Sequence, residues 1–195
     1  MKPIDHFQQN RPVHLARRDV YFEHAAKMLR APQSTGPEIR LEDYEEILFL
    51  LRVARQHAGY SIRRTAGEND TDEQFGRFLN ILAGNVKAVL SMLNLRTMTA
   101  NSSDSFFGFL GANQASLALQ AEEYQRRAND IIRSLHNTLR MAEDPFELLK
   151  IENADAFTPE ERERYAKARK HFTRLIEEGR HRYKIAKNFR QLGKH

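Results

Sequence analysis

Apolar side chains recur at intervals of three and four residues along most of this 195-residue chain, and no run shows the strict alternation of a β-strand. Prolines, glycines and polar clusters divide the pattern into long segments of helical periodicity. The pattern therefore predicts an all-α fold. Because several apolar stripes follow a heptad spacing, we expect a helical bundle of about four long helices plus short helices.

The N-terminal part of the chain predicts an arm followed by a first helix. Residues 1–12 are polar and contain two prolines, so we expect a flexible N-terminal arm there. The first helix is predicted from about Val13 to Leu29 or Arg30, because Pro32 stops it. The sequence Ala-Pro-Gln-Ser-Thr-Gly-Pro that follows has the composition of a linker.

The second predicted helix begins near Glu38 or Leu41 and ends near Ala58. Its apolar residues recur at three and four, as expected for a helix with one buried face. Gly59 follows the last of them and is expected to cap the helix in the left-handed conformation, which glycine adopts without steric cost. The next residues are less periodic and end in Glu-Asn-Asp, which indicates a loop.

The third predicted helix begins with a capping box. In that motif Thr71 accepts a hydrogen bond from the backbone three residues on, and Gln74 reaches back to the backbone of Thr71. A continuous apolar stripe follows, and the polar segment 99–105 is expected to end the helix. The stripe consists of Phe75, Phe78, Leu79, Leu82, Val86, Val89, Leu90 and Leu93.

The fourth helix is predicted over 117–142, where a heptad stripe persists for nearly four heptads. Asp144 and Pro145 then end it and start a short new turn. The stripe is Leu117, Ala121, Tyr124, Ala128, Ile131, Leu135, Thr138 and Ala142. We expect this stripe to pack either inside the bundle, assigned to residues 13–155, or against another chain.

The last helix has the strongest start signal in the chain. Thr158 is the predicted cap, Pro159 follows it, and Glu160 and Glu161 place negative charge at the positive end of the helix dipole. The predicted inward face is Tyr165, Ala168, Phe172, Leu175, Gly179, Ala186 and Phe189, with Ile176 and Tyr183 beside it. A bend or frayed turn, if present, is expected at Gly179. Residues 156–195 are thus predicted to form a basic amphipathic helix that packs on the bundle or on a partner.

Positive charge is concentrated in this last helix. Residues 164–195 hold eleven Lys or Arg and two acids, a formal charge of +9, whereas the rest of the chain holds 20 bases and 24 acids, a charge of −4. Such an asymmetry predicts contact with an acidic partner or with phosphate. The candidate contact residues are Arg63, Arg64, Arg169, Lys170, Arg174, Arg180, Arg182, Lys184, Lys187 and Arg190. The alternative is that these bases solvate a bundle helix or pair with the acidic body.

A short apolar cluster between the third and fourth helices is a second candidate interaction site. It consists of Phe106, Phe107, Phe109 and Leu110, with Gly108 between them. Phenylalanines separated by glycine suit a plug at a helix corner or between subunits, or an exposed patch for a partner or membrane. We favour the plug, since no basic residues flank the cluster to hold anionic lipid.

Several chemistries are disfavoured by the residues present. The chain has no cysteine, which excludes disulfides and thiolate sites and is compatible with the cytoplasm, and no run is apolar enough for a predicted membrane helix. One Glu-x-x-His unit, Glu178 to His181, lies among arginines that would repel a metal ion. No motif for a catalytic nucleophile, nucleotide or cofactor occurs. We therefore predict no catalytic residue, cofactor or metal site.

Residues 47–66 resemble the first half of a helix-turn-helix in outline, with a turn at Gly59. The apolar periodicity does not continue over 62–70, so a helix end followed by a basic loop is favoured. Together these features predict a non-enzymatic interaction or scaffold protein that self-associates or docks into a larger assembly. The alternative is a nucleic-acid-binding protein that uses its basic C-terminal helix for phosphate contacts.

Overall fold

Five α-helices make up the computed structural model, which describes residues 10–30, 41–61, 71–105, 112–141 and 157–192. The helices are α1 (Arg11–Arg30), α2 (Leu41–Ser61), α3 (Thr71–Ser105), α4 (Ala112–Met141) and α5 (Pro159–Leu192). The described residues contain no strand, and the predicted all-α helical bundle is confirmed. The predicted N-terminal arm lies outside the described residues except for its last three positions, two of which already belong to α1.

Helices α1 to α4 pack as an antiparallel series in chain order. His14 near the start of α1 contacts His57 near the end of α2, and Gly76 near the start of α3 lies next to Ala58 of α2. Helices α3 and α4 make the most extensive pairing, and α1 also touches α4. One core joins these four helices, because the buried residues of each belong to a single apolar cluster.

Helix α5 packs on α1 in a parallel orientation. Three contacts between them join residues that are 146 apart in sequence: Phe157 with Arg11, Tyr165 with Asp19, and Arg169 with Glu23. Phe172 and Ile176 of α5 join the common apolar cluster. Continued along both helices, the same offset places Arg30, the last residue of α1, level with Ile176.

The apolar core ends at one common level. Ala58 of α2 lies next to Gly76 of α3. Because the two helices are antiparallel, counting 17 residues from this contact towards the start of α2 and towards the end of α3 places Leu41 level with Leu93. Leu93 is the last buried residue of α3 among those described, and Ala128 is the first of α4. The described side chains of 94–101 and 116–127 are exposed or partly exposed. The bundle therefore stops where α1 ends and α2 begins.

Three helices continue past this level, at the same end of the bundle. They are residues 94–105 of α3, 112–127 of α4 and 177–192 of α5, which together we call the projecting end. At 1.5 Å per residue these segments extend about 18 Å, about 24 Å and about 24 Å. Exposed apolar side chains on the described part of the projecting end, such as Leu119, are thus available to another molecule in a way that the core is not.

Two predicted helix ends are wrong. Helix α2 continues through Gly59 to Ser61, because Tyr60 is held in its last turn by ring contacts with His14 and His57 and by a hydrogen bond from Gln56. Helix α3 continues through the polar segment 99–105. The hydroxyl of Thr99 donates to the carbonyl oxygen of the residue four positions earlier, so a polar side chain is accommodated within the helix.

The buried faces of α4 and α5 are rotated slightly from the predicted ones. In α4, Ile132 and Leu139 are buried, whereas Ile131 and Thr138 of the predicted stripe are only partly buried. In α5, Ile176 is 7% exposed and Leu175 is 42% exposed, so Ile176 takes the predicted place of Leu175. A seven-residue spacing is compatible with either choice, and the neighbouring helices decide between them.

The start of α5 matches its prediction. The backbone N–H of Thr158 donates to a carboxylate oxygen of Glu161 at 2.9 Å, and the backbone N–H of Glu161 donates to the Thr158 hydroxyl at 3.2 Å. This reciprocal pair is a capping box, which satisfies two backbone donors at the helix start. Phe157, just before the cap, is buried against Tyr165 and beneath Arg11. The cap therefore fixes where α5 begins on α1.

Replacing Gly179 with alanine is expected to raise the free energy of unfolding by about 0.5 to 1 kcal/mol. Helix α5 runs through Gly179 without a break, and an added Cβ atom would meet no atom within 4 Å. Urea unfolding of both proteins, followed by circular dichroism at the helical band, measures the change. A loss of stability in Gly179→Ala would instead indicate that the helix bends at this glycine.

Candidate interaction surfaces

A buried polar network fastens α5 to α1. Asp19, which is 2% exposed, accepts hydrogen bonds from Arg18 Nε at 2.8 Å and from the Tyr165 hydroxyl at 2.6 Å. Arg169 extends the network: its NH1 donates to the Tyr165 oxygen at 3.2 Å, and both terminal nitrogens donate to the carboxylate of Glu23, at 3.1 and 2.7 Å. The paired geometry is bidentate, which orients the guanidinium as well as neutralising it.

The network also determines the protonation of its members. Burial, reinforced by the Asp19 carboxylate, raises the pKa of the Tyr165 hydroxyl, so it remains a proton donor at physiological pH. Burial on its own would lower the pKa of Arg169, but its bonds to Glu23 and Tyr165 outweigh that effect and raise the pKa above its ordinary value. The Tyr165 hydroxyl and the Arg169 guanidinium thus both keep their protons across the physiological pH range.

Two further arginines of α1 lie against aromatic rings. The guanidinium carbon of Arg18 is 4.7 Å from the ring centre of Phe75 in α3. That of Arg17 is 5.4 Å from the ring of Tyr21 and 5.1 Å from the ring of Phe172 in α5. The Nε atom of Arg17 is buried and has no hydrogen-bond acceptor among the described residues. Arg17 is therefore held by ring faces of α1 and α5 rather than by an acid.

A pair of histidines joins α1 to α2. The Nδ1 atoms of His14 and His57 lie 2.9 Å apart, so one ring donates and the other accepts, and the rings are stacked at 5.2 Å. Burial, with further contributions from Arg17 and His14, lowers the pKa of His57 from its ordinary 6.5 to about 4. The neutral form of His57 is thus the one that suits the folded protein.

The projecting end contains a groove between α3 and α4, with a volume of about 520 Å³. It is lined by small and apolar side chains, among them Ala100, Leu117 and Ala121, and by the charged side chains of Arg96, Glu122 and Arg126. Gln125 donates from Nε2 to Asn129 at 3.0 Å, while its Oε1 is buried without a partner among the described residues. The groove is open and mixed in character, which is typical of a surface for a protein side chain.

The structure separates the predicted basic residues into groups. Arg169 is paired with Glu23 inside the fold, so it is not a free contact residue. Lys170 is exposed, and exposed Arg174 lies 3.6 Å from Glu178. Arg63 and Arg64 lie outside the described residues, as do the side chains of Arg180, Arg182, Lys184, Lys187 and Arg190, although these five belong to the backbone helix α5. Phe106, Phe107, Phe109 and Leu110 also lie outside the described residues.

The α1–α5 network was missed in the sequence. Its members stand at ordinary helical positions far apart in the chain, and only the burial of α5 on α1 brings them together. One signal was present: Arg18 and Asp19 stand beside Val20 and Tyr21 on the face of α1 that carries its apolar residues. A charged pair on the buried face of a helix requires a polar partner from another element.

Two findings on the described part of the chain bear on metal and membrane binding. Within it, no three His, Asp or Glu side chains lie close enough to hold a metal ion. Helix α3 is long and apolar enough to cross a membrane over Glu73–Asn101, by length and composition alone. A core helix of a bundle passes the same test, and a third of the most apolar window of α3 is buried in this bundle.

Comparison with known proteins found no family model, no curated protein and no solved structure that matches this chain.

Proposed function

We propose that this is a non-enzymatic helical interaction protein whose C-terminal helix binds an acidic protein partner. The observation that carries the proposal is the continuation of α5 past the end of the bundle, over its most basic stretch. Residues 180–195 contain six Lys or Arg and no acid. A helical segment of this charge attracts acidic surfaces and speeds their association.

Internal pairing narrows the set of contact residues. Arg169 is engaged with Glu23, and Arg174 has Glu178 beside it. Of the other bases before Ile176, Lys167 pairs with Glu163 along the helix, and Arg164 and Lys170 are exposed. Among the bases after Gly179, Lys184, Lys187 and Arg190 have no acid within four positions, whereas Arg180 and Arg182 stand one turn after Glu177 and Glu178. The proposal consequently rests on Arg180, Arg182, Lys184, Lys187 and Arg190.

The apolar surface of the projecting end favours a protein over a nucleic acid. Leu119 of α4 is 67% exposed there, and the groove between α3 and α4 is lined by Leu117 and three alanines. Contacts to a phosphate backbone need charge and hydrogen-bond donors but no apolar surface. Protein interfaces combine an apolar centre with a polar rim. An acidic segment that also carries apolar side chains is the partner that suits this end.

A nucleic-acid ligand is the second candidate, favoured by the same basic run. Each phosphate neutralised by Lys or Arg releases a counterion, so the affinity for a duplex would fall steeply with salt. The five bases of 180–190 would give a slope of roughly −4 to −5 in log K against log salt. Fluorescence anisotropy with a labelled duplex and a labelled single strand tests this directly. If neither probe binds, a nucleic-acid ligand is excluded.

Charge reversal in the tail tests the acidic partner. In the triple variant Arg182→Glu, Lys184→Glu, Lys187→Glu, we expect retention of the partner in nuclease-treated affinity purification to fall at least about tenfold, which corresponds to about 1.4 kcal/mol. The partner should be an acidic protein, and the purified pair should bind in calorimetry with an affinity that weakens as salt is raised.

The matched control reverses three exposed arginines of the bundle, Arg52, Arg55 and Arg140, with the same change of charge. This control should retain the partner at the wild-type level. Equal loss in both triple variants would show that net charge alone is responsible, and equal retention in both would refute a role for the tail. Circular dichroism of each variant establishes that the bundle is intact.

A further inference from the structure

Helix α3 carries two apolar faces, and only one of them meets the core. The inward face includes Leu79, Leu82, Val86, Val89 and Leu93, all buried. On the opposite side a second heptad stripe runs along the helix in alternating steps of three and four. This outer stripe consists of Ile81, Gly84, Ala88, Ser91, Leu95 and Met98. A helix with apolar residues on both sides is typical of a helix covered on both sides.

The outer stripe is exposed in the single chain, and its large side chains lie towards its ends. Ile81 is 57% exposed, Leu95 39% and Met98 66%. Its middle is small: a Cβ atom added at Gly84 would meet nothing within 4 Å, and the Ser91 hydroxyl donates to the carbonyl of Lys87 in its own helix at 3.0 Å. The satisfied hydroxyl allows Ser91 to lie against an apolar surface.

We infer that the outer stripe is a two-fold interface between two copies of this chain, with their α3 helices antiparallel. The two-fold axis crosses the outer stripe at the level midway between residues 89 and 90. In this arrangement each pair of facing residues has numbers that add up to 179. Leu95 meets the partner's Gly84, where space is open. Ala88 faces the partner's Ser91, so small residues meet there, and Ile81 faces the partner's Met98, so large ones meet at the ends. This is the layering of an antiparallel coiled coil.

The residues beside the stripe favour a second copy over a charged partner. The positions that flank the stripe are 80, 85, 87, 92, 94 and 99. Three of them are asparagines, Lys87 is the one charged residue among them, and none is an acid. The two-fold axis brings Lys87 beside the partner's Asn94, so no like charges meet. An acidic or basic partner would find little to recognise here, whereas a neutral and self-complementary surface suits an isologous contact.

The size of the stripe predicts a weak dimer. From Ile81 to Met98 the helix advances about 26 Å at 1.5 Å per residue. One helix-to-helix contact of that length falls below the roughly 800 Å² per partner of a standard interface. Sedimentation velocity from about 1 µM to about 1 mM covers the affinities expected of such a surface. We expect the wild-type chain to shift from monomer to dimer within this range.

Substitution of Leu95 tests the location of the interface. Leu95→Lys places a charge in the stripe close to the partner's Lys87, and we expect the dissociation constant to rise at least about tenfold. Leu175→Lys is the matched control, because Leu175 is 42% exposed on α5, which packs on α1 rather than on α3. The control should dimerise like the wild type. Equal effects of the two variants would overturn the inference.

Engineered cysteines test the register, since the chain has none of its own. A mixture of Gly84→Cys and Leu95→Cys should form a disulfide-linked heterodimer on mild oxidation, because these positions face each other. Neither variant alone should crosslink, since the offset of eleven positions between 84 and 95 separates identical cysteines by about 16 Å along the axis. Crosslinking of Gly84→Cys with itself would indicate parallel helices and overturn the proposed register.

Two other outcomes would also overturn the inference. One is a monomer at every concentration. The other is flotation of the wild type, but not of Leu95→Lys, with phosphatidylcholine vesicles, which would assign the stripe to a membrane. The tail variant Arg182→Glu, Lys184→Glu, Lys187→Glu should dimerise normally, because its changes lie on α5. Failure of the dimer and failure of the acidic partner are therefore separate results.

Discussion

Asp19→Ala is expected to lower the free energy of unfolding by about 3 to 5 kcal/mol, the cost of leaving a buried charge without its partner. Arg18 is 2% exposed, with its Nε 2.8 Å from the Asp19 carboxylate. The same carboxylate accepts the hydrogen bond of the Tyr165 hydroxyl from α5. The substitution thus removes the acceptor shared by α1 and α5, and it leaves both donors in a site from which water is largely excluded.

Urea unfolding monitored by circular dichroism measures this loss, with Asp130→Ala as the matched control. Asp130 is paired with Arg133 on the surface of α4 at 3.5 Å, and its side chain is 59% exposed. That variant should change stability by less than about 0.5 kcal/mol, as is usual for surface positions. If Asp19→Ala cost no more than Asp130→Ala, the α1–α5 network would have no role in stability.

Two further variants separate the parts of the network. Tyr165→Phe removes the hydrogen bond to the Asp19 carboxylate and the one that Arg169 donates to the Tyr165 oxygen, and it should cost about 1.5 to 3 kcal/mol, less than the loss of the Asp19 acceptor. Replacing Arg18 and Asp19 together with leucine removes both buried charges. Because apolar residues of similar volume often replace a buried ion pair without loss, this double variant should be more stable than Asp19→Ala.

Local chemistry explains which elements could be predicted from the sequence. The helix start at Thr71 was placed correctly, and the capping box at Thr158 is confirmed, because a cap depends on residues within one turn. The side chain of Thr71 lies outside the described residues, so its capping box stays a prediction. The helical bundle itself follows from apolar periodicity, which can be recognised in each segment without knowing which helices pack against it. The ends of α2 and α3 were wrong. Tyr60 and Thr99 are stabilised there by contacts that a count of apolar positions does not register.

Long-range contacts explain what could not be predicted. Arg169 was assigned to a partner from its charge, whereas in the fold it forms an ion pair with Glu23, 146 residues earlier. The choice of Ile176 over Leu175 as the buried residue likewise depends on the angle at which α5 crosses α1. Such pairings arise from packing between elements, for which a single sequence carries no local signal. The side chains beyond Gly179 lie outside the described residues, so their contact with a partner stays a prediction.

Acidification is expected to destabilise the protein through His57. Its folded-state pKa of about 4 lies below the unfolded value of 6.5, so between these limits the unfolded chain binds more protons. Stability from this site is therefore complete above about pH 6.5, falls as pH is lowered, and is lost below about pH 4. The total loss should be about 3 kcal/mol, from a shift of about 2.5 pKa units at 1.36 kcal/mol per unit.

The structural reason is the environment of the imidazole. His57 is 8% exposed, Arg17 adds a positive charge nearby, and the Nδ1 of His14 lies 2.9 Å from its own. With both rings protonated, two donors would face each other across that distance. Unfolding free energies from pH 7.5 to 4.5 should thus fall more steeply in the wild type than in His57→Gln, whose amide cannot take up the proton.

The comparison between variants removes the contribution of the carboxylates, which titrate in both proteins. His136→Gln, on the exposed face of α4, is the control and should show the pH dependence of the wild type. An NMR titration of the His57 ring gives the midpoint directly, and we expect it near pH 4. A midpoint near pH 6.5, or equal slopes in the wild type and His57→Gln, would mean that protonation of His57 does not lower the free energy of unfolding.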